Sequence, residues 1–230
     1  MRVLILQSNY IPWRGYFDMI NMADVFVIYD EVQYTKNDWR NRNKIKSPSG
    51  PTWLTIPVKQ EKLSQKINET LVFGNEWRRK HWNSIKINYA KSLFLKDYKN
   101  IFEEFYLNTN ETNISKINLQ LIQIINKILG IKTKLVLSTD FDLAEGKTEK
   151  LVDICKKLNC TEYISGPAAK NYLKEDLFLE ENIKLTWMDY SKYESYSQLY
   201  PPFESAVSVL DLIFNEGNNA KKFMTSFNIK

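Results

Sequence analysis

The chain has 230 residues, enough for one substantial core, and carries 32 Lys and Arg against 27 Asp and Glu, a net charge of +5 spread along its length. That balance is too weak to predict nucleic-acid binding and suits a small anionic substrate, while seven Gly and seven Pro exclude a flexible or collagen-like chain. Two isolated Cys and a single His argue against a bound metal, and no apolar run approaches the ~20 residues that cross a bilayer, so a cytoplasmic protein with no membrane span is expected.

At the amino terminus Val3-Leu4-Ile5-Leu6 is a continuous apolar run, the pattern of a strand buried on both faces, and it stops at Gln7. Pro12 and Gly15 mark a tight loop, Tyr16 to Ala23 has apolar residues at helical spacing, and Val25 to Tyr29 is a second strand ending in Asp30-Glu31. Together these make a βαβ unit. In open α/β sheets ligands lie beyond the carboxyl ends of the strands, where Gln7, Asn9, Tyr10, Trp13, Asp30 and Glu31 fall. Ser47-Pro48-Ser49-Gly50-Pro51 is a turn ahead of the strand pattern Trp53 to Val58, which predicts a hairpin; residues 59–75 read as a loop near the site.

Glu76 to Lys91 reads as a helix, Tyr98 to Phe105 as a second, and Ile114 to Ile128 as a third with a long apolar stripe that Gly130 closes. Leu135 to Ser138 is again a strand, followed by a helix from Thr148, a strand Tyr163 to Ser165, a helix from about Ala169 to Glu180, a strand Lys184 to Met188 and a last helix Ala206 to Phe214. The alternation predicts a single α/β domain over residues 1–230, a three-layer Rossmann-like sheet of five or six mostly parallel strands with flanking helices.

The run Gln7-x-x-Tyr10-x-Pro12-Trp13-x-Gly15-Tyr16-Phe17, then Tyr29-Asp30-x-Val32-Gln33-Tyr34 and Trp39-x-Asn41-Arg42-Asn43, resembles the WbqC-like family. Trp53 to Val58, Lys80-His81-Trp82 and Tyr163 to Pro167 extend the resemblance across nearly the whole chain; Ser8 departs from it, where the family is expected to carry proline. The resemblance implies a place in bacterial surface-polysaccharide or amino-sugar assembly. The opening loop also parallels nucleotidylyltransferases, with Trp13-Arg14-Gly15-Tyr16 where those enzymes carry two histidines over the nucleotide phosphates.

His81 is the one histidine, a candidate general base or a packed core residue, with Asp30 as the alternative base. In an extended chain Arg40, Arg42 and Lys44 point one way, to meet a diphosphate, while Asn41 and Asn43 point the other, to read a sugar or base; a charged edge strand is the other reading. Arg78 and Lys80 add cations near a substrate phosphate, Gly15 lets backbone approach a ligand, Tyr10, Trp13 and Trp39 offer ring faces, and Tyr16 in the opening loop and Gly166 at another strand end are further candidate binding residues. The expected reaction is acyl or aminoacyl transfer onto the amine of a nucleotide-linked sugar. Its co-substrate is a thioester carrier, an acyl carrier protein or coenzyme A, and no bound cofactor is needed. Nucleotidyl transfer or adenylate-forming ligation, and a non-catalytic glycan or assembly-binding role, are the alternatives.

Overall fold

The apolar run at the amino terminus forms β1 (Arg2–Leu6), the middle strand of the sheet in the computed structural model, which describes residues 1–228. Helix α1 (Arg14–Met22) crosses from it to β2 (Val25–Ile28), giving the opening βαβ unit. A hairpin of β3 (Arg42–Ser47) and β4 (Gly50–Thr55) follows, turned at Gly50, whose φ of 102° is left-handed backbone. Residues 59–75 hold more order than their polar composition suggests. Strands β5 (Val58–Lys59) and β6 (Leu71–Val72) pair across a 3-10 turn, and Val72 N–H bonds Thr112 O at 2.7 Å.

Three helices come next: α2 (Glu76–Asn88), α3 (Leu95–Asn108) and α4 (Ile114–Leu129). Helix α4 begins where Asn113 Oδ1 accepts from Lys116 N–H at 3.2 Å and ends at Gly130 with φ 67°, the two capping devices its sequence carries. Strand β7 (Lys134–Leu137), helix α5 (Thr148–Lys157), strand β8 (Glu162–Ser165), the five-residue helix α6 (Asp176–Glu180), strand β9 (Lys184–Trp187) and helix α7 (Val209–Glu216) complete the order. The helix expected over 169–180 is instead a 3-10 turn, Pro167–Asn171, separated from α6 by an irregular stretch. The last helix starts at Val209 because Ser208 caps it, its hydroxyl accepting from Leu210 N–H at 3.2 Å.

The five main strands lie in the order β7-β2-β1-β8-β9, every pair parallel. Side chains alternate across it: Leu4, Phe26, Ile28 and Ile164 enter the core shared with α1 to α4 and α7, and Val3, Ile5, Val25, Val27 and Tyr163 enter the core under α5 and α6. This is the three-layer α/β arrangement. Truncating Phe26, wholly buried between layers, costs about 3–5 kcal/mol by the usual cavity penalty.

Beyond β9 the chain returns over α1. Arg14 stands 4.5 Å from the Tyr193 ring centroid and donates to Glu194 O at 2.8 Å and Phe223 O at 3.2 Å. One turn on, Asp18 accepts from Tyr193 hydroxyl at 2.8 Å, Thr225 N–H at 2.8 Å and Ser226 N–H at 2.7 Å. Buried charges are tolerated when bonded this fully, and here they fasten the last segment to the first helix.

Candidate functional site

From β1 the chain runs outward to β2 and β7, then returns to add β8 and β9 on the other side, so the strand order reverses between β1 and β8. Two strands that part in opposite directions leave a crevice at their carboxyl ends. A cavity of about 740 Å³ occupies it. Gln7 comes from the end of β1, Glu31 from beyond β2, Lys147 and Lys150 from the start of α5, and Gly166 and Tyr172 from beyond β8. Glu31 Oε2 is enclosed there and has no hydrogen-bond partner, although a carboxylate oxygen shut away from water normally has one.

A second cavity, about 290 Å³, opens beside it, walled by Asn9, Pro12, Trp13, Trp39 and Asn43, with Ser205 and Ala206 from the returning carboxyl segment. Arg40 joins the two: its Nη1 donates to Asn9 Oδ1, and its Nη2 donates to Gln7 Oε1 at 3.2 Å. Asp38 is 3.8 Å away, which leaves donors of the guanidinium fork uncommitted.

The backbone that presents these groups is held from inside. Ser8 N–H donates to Asp30 Oδ1 at 2.8 Å, and the Ser115 hydroxyl takes the other oxygen. Ile11 has φ 37°, a left-handed conformation costly for a β-branched residue, and Asn43 secures it by donating to Tyr10 O at 3.1 Å and Ile11 O at 2.9 Å. Tyr16 donates to Gln7 O at 2.9 Å, and Asn41 donates to Ile56 O at 2.8 Å.

Several expected site residues lie elsewhere. His81 lines neither cavity. Its Nε2–H donates to Thr55 O at 3.2 Å, so Nδ1 accepts the Tyr10 hydroxyl at 2.8 Å, and Tyr10 in turn accepts from the Tyr106 hydroxyl at 2.6 Å. Burial pushes the imidazole down to about 4 and the Tyr10 phenol well above its ordinary range. Neither ring nitrogen is open to a substrate, and both oxygens of Asp30 are bonded inside the core, so the expected bases are corrected to internal supports. The three cations expected to converge do not: Arg40 precedes β3 and turns to the cavities, while Arg42 and Lys44 stand over the Trp53 ring at 4.2 Å and 5.0 Å. Gly15 admits the Trp13 ring rather than a ligand, since a Cβ there would stand 2.4 Å from it. Arg78 packs 4.8 Å over Trp77 and donates to Glu111 O, in a groove between the amino-terminal end of α2 and the carboxyl end of α3, and Lys80 is exposed.

The structure therefore brings together Gln7, Asn9, Trp13, Trp39, Arg40, Asn43 and Gly166 of the residues expected, and adds Glu31, Lys147, Lys150 and Tyr172. Glu31 was visible as a strand-end carboxylate. Gly146-Lys147-Thr148, a cation at a helix start after a strand, was the signal for the α5 wall. Among the described residues no three His, Cys, Asp or Glu side chains converge to hold a metal, and no helix is long and apolar enough to cross a membrane.

A parallel sheet with a cleft at the reversal of its strand order defines an α/β protein of Rossmann-like type. Within that class the chain belongs to the WbqC-like protein family, whose model matches residues 7–223. It is similar to the Uncharacterized protein Rv1507c of Mycobacterium tuberculosis, 46% identical over 224 residues that cover 97% of each chain. No solved structure matches.

Proposed function

We propose that this protein is a transferase of bacterial surface-polysaccharide or amino-sugar assembly, which moves an acyl or aminoacyl group from a thioester carrier to the amine of a nucleotide-linked sugar. The observation that carries the reading is the switch-point cleft with the Glu31 carboxylate on its wall, one oxygen of which has no hydrogen-bond partner. The association of WbqC-like proteins with amino-sugar genes supplies the class of acceptor.

The amine attacks the thioester carbonyl. As the carbon–nitrogen bond forms and the carbon–sulfur bond breaks, Glu31 takes the proton the nitrogen sheds and returns it to the departing thiolate. Gln7 turns its carboxamide oxygen to Arg40, which leaves its N–H groups to donate to the developing oxyanion. Lys147 and Lys150 meet the phosphate of a phosphopantetheine arm.

The test is to incubate the protein with UDP-linked amino sugars and acyl and aminoacyl thioesters and follow product mass. A mass gain on the sugar with no triphosphate present is expected. Pyrophosphate release from a nucleoside triphosphate, with no acylated sugar, would replace the reading with nucleotidyl transfer.

A further inference from the structure

The smaller cavity has no part in the proton and acyl movements just described, and its walls differ in kind from those of the cleft. We infer that it is a nucleobase subsite, in which the base of the nucleotide-linked substrate lies on Trp39 while the diphosphate crosses Arg40 and the sugar enters the cleft. This rests on the reading of the substrate as nucleotide-linked.

Three observations carry it. First, the Trp39 indole belongs to a series of flat groups: Trp53 lies 5.5 Å from it, tilted by 35°, and the Arg42 guanidinium lies 4.2 Å over Trp53. A planar π ligand on Trp39 extends that series, and such stacking is tolerant of which base is presented. Second, the cavity has few polar groups to offer. Asn43 is spent on Tyr10 O, Ile11 O and Lys44 N–H, and Asn9 Oδ1 is taken by Arg40, which leaves the Asn9 amide N–H groups and the Ser205 hydroxyl. A pyranose shut in here would leave several hydroxyls without partners, a cost a base with one polar edge avoids. Third, Arg40 touches Asn9 of this cavity and Gln7 of the cleft through one guanidinium, whose remaining fork donors suit a phosphate. The opposite wall is preset: Trp13 is held edge-on by Tyr190 at 4.9 Å and lies against Gly15.

The test is tryptophan-fluorescence titration with UDP, with GDP and with glucosamine 1-phosphate, which has a sugar and a phosphate and no base. The wild type is expected to bind UDP or GDP with quenching, and Trp39→Ala to weaken that binding about ten-fold or more. Trp39 is 41% exposed, so its removal leaves the fold intact, which circular dichroism checks. Gly15→Ala, which displaces Trp13, is expected to weaken the same nucleotide several-fold. Glucosamine 1-phosphate binding is expected to ignore Trp39→Ala. Were that sugar phosphate the ligand whose affinity depends on Trp39, the cavity would be a pyranose site and the inference overturned. Nucleotide binding indifferent to Trp39, or no nucleotide binding at all, also overturns it. Acyl transfer observed alongside that indifference would leave the proposed reaction standing, and Trp39-dependent nucleotide binding without transfer would leave the subsite standing alone.

Discussion

Two sets of polar groups sit side by side in this molecule and serve opposite ends. Ser8, Tyr10, Asp30 and His81 are shut inside and bonded to one another or to backbone; Gln7, Asn9 and Glu31 line cavities, and Arg40 bridges Gln7 and Asn9. Neighbours in sequence divide between the sets, Gln7 and Asn9 outward against Ser8 and Tyr10 inward, Glu31 outward against Asp30 inward. Residue type does not distinguish an outward group from an inward one here. The phase of the chain as it leaves the strand does, since successive side chains point to opposite sides.

The comparison breaks first at its outward member. Glu31→Gln is expected to lower turnover by about 10²–10⁴-fold, the range of a lost general base, with the unfolding midpoint little changed. Retention of full turnover would show that Glu31 is no base. Asp30→Ala is expected to do the reverse kind of damage, a loss of about 2–4 kcal/mol in urea unfolding, because Ser8 N–H and the Ser115 hydroxyl lose a buried charged acceptor.

His81 adds a pH signature. Its folded value of about 4 lies below the unfolded 6.5, so the unfolded chain binds the proton more readily. Stability from this group is therefore full above pH 6.5 and falls as pH drops towards 4, by about 1.4 kcal/mol per pH unit. Asp211, raised by burial, contributes in the opposite sense. The difference between wild type and His81→Gln isolates the histidine: from pH 7 to pH 5 the wild type should lose about 2 kcal/mol more than the variant. Equal losses would mean that the ring is hydrated. The smallest effect is expected from Tyr106→Phe, which removes one donor to Tyr10 and costs about 1 kcal/mol in unfolding, with turnover unchanged.

The sheet was legible because β1, β2, β7, β8 and β9 are apolar or β-branched runs bounded by turn residues, and α4 because its stripe and both caps are written in sequence. The pair β5 and β6 was not, since two-residue strands have no period to read. The helix over 169–180 was overextended because its apolar spacing continues through a break that Leu173 and Phe178 bury by tertiary packing. In the site, the opening loop and Arg40 were readable as residues, and the choice of Glu31 over Asp30 was not, because strand phase at a terminus is fixed by pairing partners. Lys147 has a local mark, a cation at a helix start, but the place of Lys147 and Lys150 at the end of β1 required the topology, which brings there a loop more than a hundred residues away.

The fastening of Arg14 and Asp18 to residues 193–226 has a consequence for the order in which the molecule is made. The loop that supplies Trp13 is translated well before the segment that supplies Ser205 and Ala206 to the same cavity wall. The parallel sheet needs nothing beyond β9 for its strands to pair. A nascent chain can thus hold a formed sheet while the smaller cavity is still open on one side. A chain cut after β9 would keep the strands around the cleft and lose the enclosure around Trp13, so the smaller cavity is completed only once the segment beyond β9 has been made.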